Sequence, residues 1–256
     1  MRSLSFMIIG VQKGGTTALS HFLAQHDQIC MADGKEVHLF DAPDFDPQWS
    51  VDEINQRYAA HFQAATPAQL LGEATPIYLY WPEVIPALHQ YNPELKLVIM
   101  LRDPAERAIS QYNMEFGRGT EVRPLWQALL LEAVRLHRDK SRAPNSARRC
   151  HSYRTRGNYA EQLQHLRRYY PDQQILIIDN SELVTQHHQT LARICKFLGV
   201  ADANLPVPAR IFAGDYSKNG HRICRRLLKY WFRPANKQLK NLLSDMGYSP
   251  NWPWLR

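Results

Sequence analysis

A glycine-rich stretch near the amino terminus carries the residue types that bind phosphate. Residues 10–17 read GVQKGGTT. A short apolar run precedes them, and leucine and phenylalanine at helical spacing follow, so this stretch is predicted to connect a buried strand to a helix. At such a junction, backbone N–H groups converge at the positive end of the helix, where an anion is stabilised. We therefore expect a phosphate-bearing ligand here, and an ordinary tight turn is the alternative.

The position of the lysine separates this loop from that of a kinase. A Walker A loop has the form G-x-x-x-x-G-K-[ST], whereas here Thr16 stands at the lysine position and the lysine is Lys13. Thr17 could still hold Mg²⁺, as the equivalent hydroxyl does in nucleotide kinases. A later strand-like run ends in Asp179, for which a helix-capping role is favoured over metal binding. A P-loop nucleotide kinase therefore stays open as an alternative function.

A second anion site is predicted at the end of the most strand-like stretch, residues 95–101. Arg102 follows this stretch directly, and residues 103–106 read DPAE, a sequence typical of a helix start. A guanidinium group, backbone N–H groups and a helix dipole would thus share one place. Ser110 lies about two helical turns further on, which returns it to the same face. The alternative is a solvated arginine with a helix-surface serine.

The elements that must position these residues alternate along the chain. Strands are predicted at 4–9, 95–101 and 175–178, and helices at 16–26, 52–62, 103–116, 124–137, 159–170, 191–198 and from 234. This alternation indicates an α/β fold with a mainly parallel sheet. The polar, basic stretch 139–157 and the proline- and glycine-containing stretch 201–221 are predicted as loops. Neither has the character of a domain linker, so we predict one domain over residues 1–256.

Composition excludes several classes of protein. The 256 residues are 45% hydrophobic and 21% charged, which is typical of a globular protein and excludes a disordered or collagen-like chain. No apolar run approaches the roughly 20 residues of a membrane helix, and the start of the chain leaves no room for a secretory signal. We therefore expect a cytoplasmic protein. The four cysteines are far apart with no C-x-x-C pair, which predicts free thiols and no zinc site.

The net charge of +7 is concentrated in two basic blocks. Residues 135–168 carry 10 basic and 2 acidic side chains, and residues 205–240 carry 9 and 1. Such blocks suit nucleic acid, an anionic small molecule or a membrane surface. An RNA-binding module would interleave aromatic residues with the basic ones, and four tyrosines are the candidates: Tyr153, Tyr159, Tyr169 and Tyr170. Residues 222–243 are favoured to dock on the core, with membrane-surface binding as the alternative.

The two anion motifs together resemble the sulfotransferases that use 3'-phosphoadenylyl sulfate (PAPS), most closely the heparan-sulfate type. The resemblance implies a P-loop-NTPase-like, three-layer α/β fold. It also implies that the protein moves a sulfuryl group from PAPS to a hydroxyl or amine and releases the product PAP (3',5'-ADP), without a metal. It implies that the 5'-phosphosulfate binds to Lys13, Gly14, Gly15, Thr16 and Thr17. The 3'-phosphate would bind to Arg102 and Ser110. Nucleic acid is then not needed as a partner.

The same resemblance assigns the catalytic residues. Residues 35–41 read KEVHLFD, and in heparan-type enzymes the glutamate of a similar segment is the general base. Glu36 is therefore the expected base, and Lys13 is expected to stabilise the departing phosphate. His38 is the second catalytic candidate, because alternate side chains of an extended segment point to the same side. A hydrogen-bonded structural histidine is the alternative for His38.

Two further segments complete the resemblance. Residues 71–78 read LGEATPIY and resemble the segment beside the acceptor, which implies that Glu73 and Thr75 contact the acceptor. Glu73 could equally be a strand-end group paired with an arginine. Heparan-type enzymes often carry lysine where this chain has Ala74, so a sulfated-polysaccharide substrate does not carry over. Lys218 is the candidate for a late element that closes over the 3'-phosphate. A small molecule, a carbohydrate and a lipid all remain as acceptors, and no oligomeric state is indicated.

Overall fold

A computed structural model describes residues 2–34, 36–202 and 221–255. The chain forms two compact units, each built from two segments. Unit 1 comprises the described residues of 1–101 and 165–213, and unit 2 those of 102–164 and 214–256. The single domain over residues 1–256 stays a prediction.

A five-stranded parallel sheet forms the centre of unit 1. Its strands are β1 (Phe6–Gly10), β2 (Ile29–Met31), β3 (Leu70–Glu73), β4 (Lys96–Leu101) and β5 (Ile175–Asp179). The strand order is β2-β3-β1-β4-β5 and every pairing is parallel. The α/β class with a mainly parallel sheet is therefore confirmed, and the chain crosses from one half of the sheet to the other beside β1.

Eleven α-helices lie in the described residues. They are α1 (Thr16–Leu23), α2 (Val51–Ala59), α3 (Val84–Tyr91), α4 (Pro104–Gly117), α5 (Leu125–Arg138), α6 (Ala147–Cys150), α7 (Tyr159–Leu166), α8 (Asn180–Thr185), α9 (His187–Leu198), α10 (Arg222–Trp231) and α11 (Arg233–Asp245). The predicted helices are all present, with ends shifted by a few residues. The prediction of a loop over 139–157 is wrong in part, because it contains α6. The predicted loop 201–221 lies almost wholly outside the described residues.

The main core of unit 1 lies on one face of the sheet. Alternate residues of three strands point to this face, because strand side chains alternate between faces. They pack with α1, α8 and α9 into one buried cluster that includes Phe6, Ile8, Val98, Met100, Leu176, Ile178, Leu19, Leu183 and Ile194. Burying these side chains fixes the strand register and thereby the places where the strands end.

Two aspartates begin helices that follow strands. The carboxylate of Asp103 accepts a hydrogen bond from the Ala105 N–H at 2.9 Å at the start of α4, with Pro104 as the first helical residue. Asp179 accepts from the Ser181 N–H at 2.9 Å and caps α8. Both capping predictions are confirmed. Both hydrogen bonds of the Asp179 cap go to its Oδ1 atom, which agrees with the helix-capping role that the sequence favours over metal binding.

Unit 2 packs α4, α5 and α10 around a separate apolar core. Tyr112, Leu125, Leu228 and Phe232 belong to it. Arg107 is fully buried in α4 and donates to Gln111 Oε1 at 2.9 Å and to the Tyr153 carbonyl. This arginine therefore ties α4 to the segment that follows α6.

Several cations of the basic block 135–168 are used inside the fold. Within unit 2, Arg135 pairs with Glu121 at 2.5 Å and Arg154 with Glu132 at 3.3 Å, and Arg156 is 3% exposed. Three of the four tyrosines that would support RNA binding are also buried, since Tyr153, Tyr159 and Tyr170 are at most 1% exposed, whereas Tyr169 is half-buried. The three buried rings are therefore not available for base stacking.

Two simpler expectations concern the thiols and the membrane. Cys30, Cys150, Cys195 and Cys224 are all free, as predicted. Across the described ranges, no helix combines the length and the apolar character needed to cross a bilayer. A cytoplasmic location stays a prediction.

Candidate functional site

The glycine-rich loop joins the end of β1 to the start of α1, as predicted. The Val11 N–H donates to the Met100 carbonyl and the Gly14 N–H to the Val11 carbonyl, both at 2.8 Å. A Cβ atom on Gly14 would lie 2.6 Å from the Met100 carbonyl oxygen. Since that oxygen belongs to the backbone of a central strand, it cannot move aside. The loop therefore requires glycine at this position.

The first turn of α1 is left open to a ligand. Gly15 precedes the helix with φ 99°, no side chain of the described residues caps it, and the first turn contains no acidic residue. The first N–H groups of a helix have no acceptor within the helix. The start of α1, with Thr16 buried and Thr17 half-buried, therefore presents backbone donors and a positive dipole end to an anion.

Two further residues shape the glycine-rich loop, one within it and one beside it. Lys13 is half-buried and adopts a left-handed backbone (φ 68°), which is uncommon outside glycine and typical of ligand-binding turns. A Cβ on Gly15 would collide with the side-chain amide of Asn180, the first residue of α8. Sequence reasoning missed Asn180, because only the parallel pairing of the strands brings α8 beside this loop.

The loop that carries Glu36 and His38 differs from the extended segment that was predicted. Glu36 has φ 67° and His38 has φ 58°, so both residues are left-handed. Their side chains nevertheless meet, with 3.4 Å between Glu36 Oε2 and His38 Nε2. The prediction of an extended backbone is therefore wrong, although the two side chains lie close together. Tertiary anchoring, described next, accounts for the difference.

The carboxyl-terminal end of this loop is fixed in the protein interior. The Phe40 N–H donates to the Tyr78 hydroxyl at 3.2 Å, and the Phe40 ring lies among the rings of Tyr58, Tyr78 and Tyr91 with centroids 5.6 to 6.4 Å apart. Phe40 and Asp41 are both fully buried. This anchoring holds the chain just after His38 and leaves Glu36 and His38 partly exposed.

His38 lies between two carboxylates. Its Nδ1 is 3.0 Å from Asp41 Oδ1, and its Nε2 faces Glu36. Partial burial lowers the pKa of His38, but the hydrogen bonds to Asp41 and Glu36 outweigh it and raise that pKa from 6.5 to about 9. His38 is therefore protonated at neutral pH. Asp41 had received no role from the sequence, although its spacing of three residues from His38 was the available signal.

Glu73 ends β3 beneath the same loop. It is fully buried, and its Oε1 accepts hydrogen bonds from the Val37 N–H at 3.3 Å and from the Thr75 hydroxyl. Its Oε2 has no hydrogen-bond partner among the described residues. Burial raises the pKa of Glu73 from 4.5 to about 7, against the lowering effect of these hydrogen bonds. Its partners are Val37 and Thr75, so within the described ranges Glu73 is not paired with an arginine.

Thr75 connects this strand end to the loop. Its hydroxyl donates to Glu73 and accepts from the His38 N–H at 3.4 Å. The structure thus brings together all four residues that the sequence placed near the acceptor: Glu36, His38, Glu73 and Thr75. Between two of them, Ala74 is 3% exposed and belongs to the main core of unit 1.

The two loops of unit 1 belong to the same edge of the sheet. The glycine-rich loop follows β1 and Glu73 ends β3, and these neighbouring strands are parallel with Met7 opposite Glu73. Carboxyl ends of parallel strands lie at one edge, and ligands of such folds bind there, where the strand order reverses. The sequence-predicted residues of unit 1 therefore lie where an α/β protein usually binds its ligand.

Unit 2 contains the second anion motif. Arg102 is half-buried, and its carbonyl accepts from the Tyr159 hydroxyl at 3.0 Å. Ser110 lies two turns into α4 and is 9% exposed. Lys218, like Lys35, lies outside the described residues. In the described ranges, no group of three or more His, Cys, Asp or Glu side chains is placed to hold a metal ion.

Comparison with known proteins agrees with this arrangement. The family model for the sulfotransferase domain matches residues 4–207. Human heparan sulfate glucosamine 3-O-sulfotransferase 3B1 is 30% identical over 194 residues, which cover 76% of this chain and 45% of that protein. Human heparan sulfate glucosamine 3-O-sulfotransferase 6 is 32% identical over 198 residues, covering 76% and 52%. The chain thus spans about half the length of these relatives.

A solved structure extends the similarity to the whole chain. The sulfotransferase from Alicyclobacillus acidocaldarius has a TM-score of 0.79 and 26% identity, with 100% of both chains covered. The parallel sheet and the strand-to-helix glycine loop are thus features of a known P-loop-like α/β fold. The chain belongs to the sulfotransferase family, close to its heparan-sulfate type.

Proposed function

We propose that this chain transfers a sulfuryl group from PAPS to a hydroxyl or amine. The observation that carries the proposal is the glycine-rich loop, in which Gly14 has no room for a side chain and no described side chain caps the start of α1. A cradle of backbone donors at a helix start suits a phosphate or phosphosulfate group. Thr16 in place of the Walker lysine, together with the capping role of Asp179, disfavours the kinase alternative.

The residues of the loop would hold the 5' end of the donor. Gly15, Thr16 and Thr17 would supply backbone N–H groups. Gly14 donates its own N–H to the Val11 carbonyl and would contribute by letting the loop pass close to the Met100 carbonyl without a side chain. The Lys13 ammonium would offset negative charge at the departing phosphate. When bound, PAPS supplies an activated sulfuryl group together with its leaving phosphate. No metal has a role in this proposal.

The residues of unit 2 would select the donor by its 3'-phosphate. Arg102 offers a guanidinium fork, and the start of α4 adds its dipole. Ser110 adds a hydroxyl donor, and Lys218 is proposed as a further cation. A nucleotide that lacks the 3'-phosphate would lose these interactions.

Glu36 is proposed as the general base. Its carboxylate would take the proton of the acceptor hydroxyl or amine at an Oε atom, as the acceptor atom forms its bond to sulfur. His38 is protonated at neutral pH and therefore does not accept this proton. It donates from Nε2 towards Glu36 and from Nδ1 to Asp41. The imidazolium thereby holds the Glu36 side chain in place and favours its charged form.

The acceptor is proposed to be a carbohydrate or small molecule with a free hydroxyl or amine. The named relatives act on heparan sulfate glucosamine. In this chain Ala74 is an apolar core residue, so this position provides no cation to a negative group on the acceptor. This favours an acceptor that does not depend on a negative group at this place.

Selective loss of 3'-phosphate recognition tests the donor assignment. Titration calorimetry should show that the wild type binds 3',5'-ADP more tightly than 5'-AMP. In Arg102→Gln, the affinity for 3',5'-ADP should fall by roughly 10- to 100-fold, as expected for a lost charged hydrogen bond, while 5'-AMP binding should hardly change. Ser110→Ala should give a smaller change of the same kind. An equal loss for both nucleotides would refute the assigned role of Arg102.

A further inference from the structure

Helix α10 exposes an apolar stripe that the core does not use. Ile223, Leu227, Tyr230 and Trp231 are 76%, 63%, 69% and 56% exposed. Their spacing of four, three and one residues places them on one side of the helix. On the adjoining side, Leu228 is buried against the core of unit 2. The apolar face of α10 is thus wider than the surface that the fold covers.

The remaining face of the same helix region is strongly basic. From residue 222 to 240, the chain carries seven basic side chains and no acidic one: Arg222, Arg225, Arg226, Lys229, Arg233, Lys237 and Lys240. Arg225 pairs with Glu106 at 2.7 Å, and Lys229 lies 3.6 Å from Asp103. All but Arg225 are exposed. At about 100° per residue, Arg222 and Arg226 border the apolar stripe on the side away from the core.

A basic cavity extends this face along α11. It has a volume of about 590 Å³, and Lys229, Arg233, Lys237 and Lys240 contribute to its lining together with Trp254. Asp103 also lines the cavity, 3.6 Å from Lys229. The excess of four cations over one carboxylate suits an anionic group of the size of a phospholipid headgroup. The cavity and the stripe both belong to unit 2.

A second apolar stripe lies on α5 in the same unit. Trp126, Leu130 and Val134 are 55%, 68% and 46% exposed at a spacing of four residues. Arg154 contacts both helices, because it pairs with Glu132 of α5 and its guanidinium carbon lies 4.6 Å from the centre of the Trp231 ring. Unit 2 therefore presents apolar surface on two helices that share one arginine.

We propose that α10 and α11 form a docking surface for an anionic phospholipid bilayer. A helix with apolar and aromatic residues on one side and arginines along its border is typical of segments that lie in a membrane interface. Ile223 and Leu227 enter the acyl boundary, and the basic residues contact the headgroups. A second copy of the chain is disfavoured as the occupant, because a two-fold contact through α10 would bring its arginines together without any acid on that helix.

Vesicle sedimentation of the full chain tests this surface. The protein should sediment with phosphatidylcholine vesicles that contain phosphatidylserine and stay in solution with pure phosphatidylcholine, and added salt should release it. Ile223→Ser with Leu227→Ser should weaken binding at least tenfold. Arg222→Gln with Arg226→Gln should weaken it by about fivefold for each residue. All four positions are exposed, so the fold should be kept, which circular dichroism can check.

Matched controls come from unit 1. Val184→Ser removes an apolar side chain that is 74% exposed, and Arg168→Gln removes an exposed cation, and neither should change vesicle binding. The proposal is overturned if phosphatidylserine gives no binding, if pure phosphatidylcholine binds equally, or if the Ile223 and Leu227 variant binds like the wild type. Light scattering that shows a dimer abolished by that variant, without vesicle binding, would assign the stripe to a second copy instead.

Discussion

The glycine-rich loop and the Glu36 loop lie at the same edge of one sheet and are built in opposite ways. The glycine-rich loop depends on backbone: Gly14 leaves no space for a Cβ, and α1 offers uncapped N–H groups. The Glu36 loop depends on side chains, with His38 between two carboxylates and Glu73 buried beneath. One loop is thus sensitive to shape and the other to protonation.

This difference separates the two tasks of a group-transfer enzyme. Backbone N–H groups do not titrate, so the glycine-rich loop should bind the anionic sulfuryl donor over a wide range of pH. The pKa values of His38 and Glu73 are raised to about 9 and about 7, so the Glu36 loop and Glu73 beneath it should respond to pH near neutrality. Substitutions that change either nucleotide binding or the response to pH, but not both, would support this division of tasks. Substitutions that change both would contradict it.

The largest effect is expected for Glu36→Gln. Loss of the proton acceptor should lower turnover by roughly 10²- to 10⁴-fold, measured with labelled PAPS and any working acceptor. The affinity for 3',5'-ADP should be unchanged, because the amide keeps the shape of the side chain. Asp33→Asn, at an exposed carboxylate before the same loop, is the control. Turnover like that of the wild type in Glu36→Gln would exclude Glu36 as the base.

Glu73→Gln should remove a pH dependence of stability. Between about pH 4.5 and 7 the native protein keeps the Glu73 proton while the unfolded chain has lost it, so the free energy of unfolding of the wild type falls as pH rises. The fall should total about 3 kcal/mol. In urea unfolding over this range, the free energy of unfolding of the variant should rise relative to that of the wild type as pH increases. Glu94→Gln, at an exposed position, should show no such change. A stability difference between the two proteins that is independent of pH would contradict a raised pKa of the buried Glu73 carboxyl group.

Gly14→Ala should disturb the glycine-rich loop by steric conflict alone. The added methyl group would press on the Met100 carbonyl, which should cost about 1 to 3 kcal/mol of stability and weaken 3',5'-ADP binding without changing its pH dependence. Gly117→Ala, where a Cβ meets nothing within 4 Å, is the matched control. Urea unfolding and nucleotide titration measure both effects. Full nucleotide affinity in Gly14→Ala would show that the cradle is not where the nucleotide binds.

His38→Gln should give the smallest change in stability. The raised pKa means that the stabilisation from His38 is complete below about pH 6.5 and is lost as pH rises through about 9. The wild type should therefore lose stability across this window relative to the variant. Because the His38 side chain is 36% exposed, water screens the effect. Parallel pH profiles for the two proteins would contradict an imidazolium held by Glu36 and Asp41.

Local sequence predicted the elements whose pattern is complete within a few residues. The run KLVIML gave β4, and the residues DPAE gave the start of α4 with its Asp103 cap. The three residues of β2 are too few to show a period, and β3 contains Gly72, which makes room for the Phe6 ring of the neighbouring strand. These strands exist because of their neighbours, so their own sequence carries little signal.

In the site, too, local motifs are predictable from the sequence and features that depend on distant residues are not. The glycine-rich loop is a local motif and was recognised, whereas the left-handed backbone of Glu36 and His38 results from anchoring through Phe40 and Asp41. The two basic blocks have similar charge in the sequence, yet Arg135 and Arg154 pair within the fold while residues 222–240 are mostly exposed. A charge count cannot separate these outcomes, because it contains no information on partners distant in sequence.

Thermal unfolding with nucleotides tests the central claim, that the glycine-rich loop and the Arg102 motif serve a 3'-phosphorylated nucleotide. A concentration of 3',5'-ADP about 100 times its dissociation constant should stabilise the chain by about 2.7 kcal/mol. ATP with Mg²⁺ at the same concentration should stabilise it much less, since it has no 3'-phosphate. A large shift with ATP and Mg²⁺ and none with 3',5'-ADP would contradict the claim and favour a kinase.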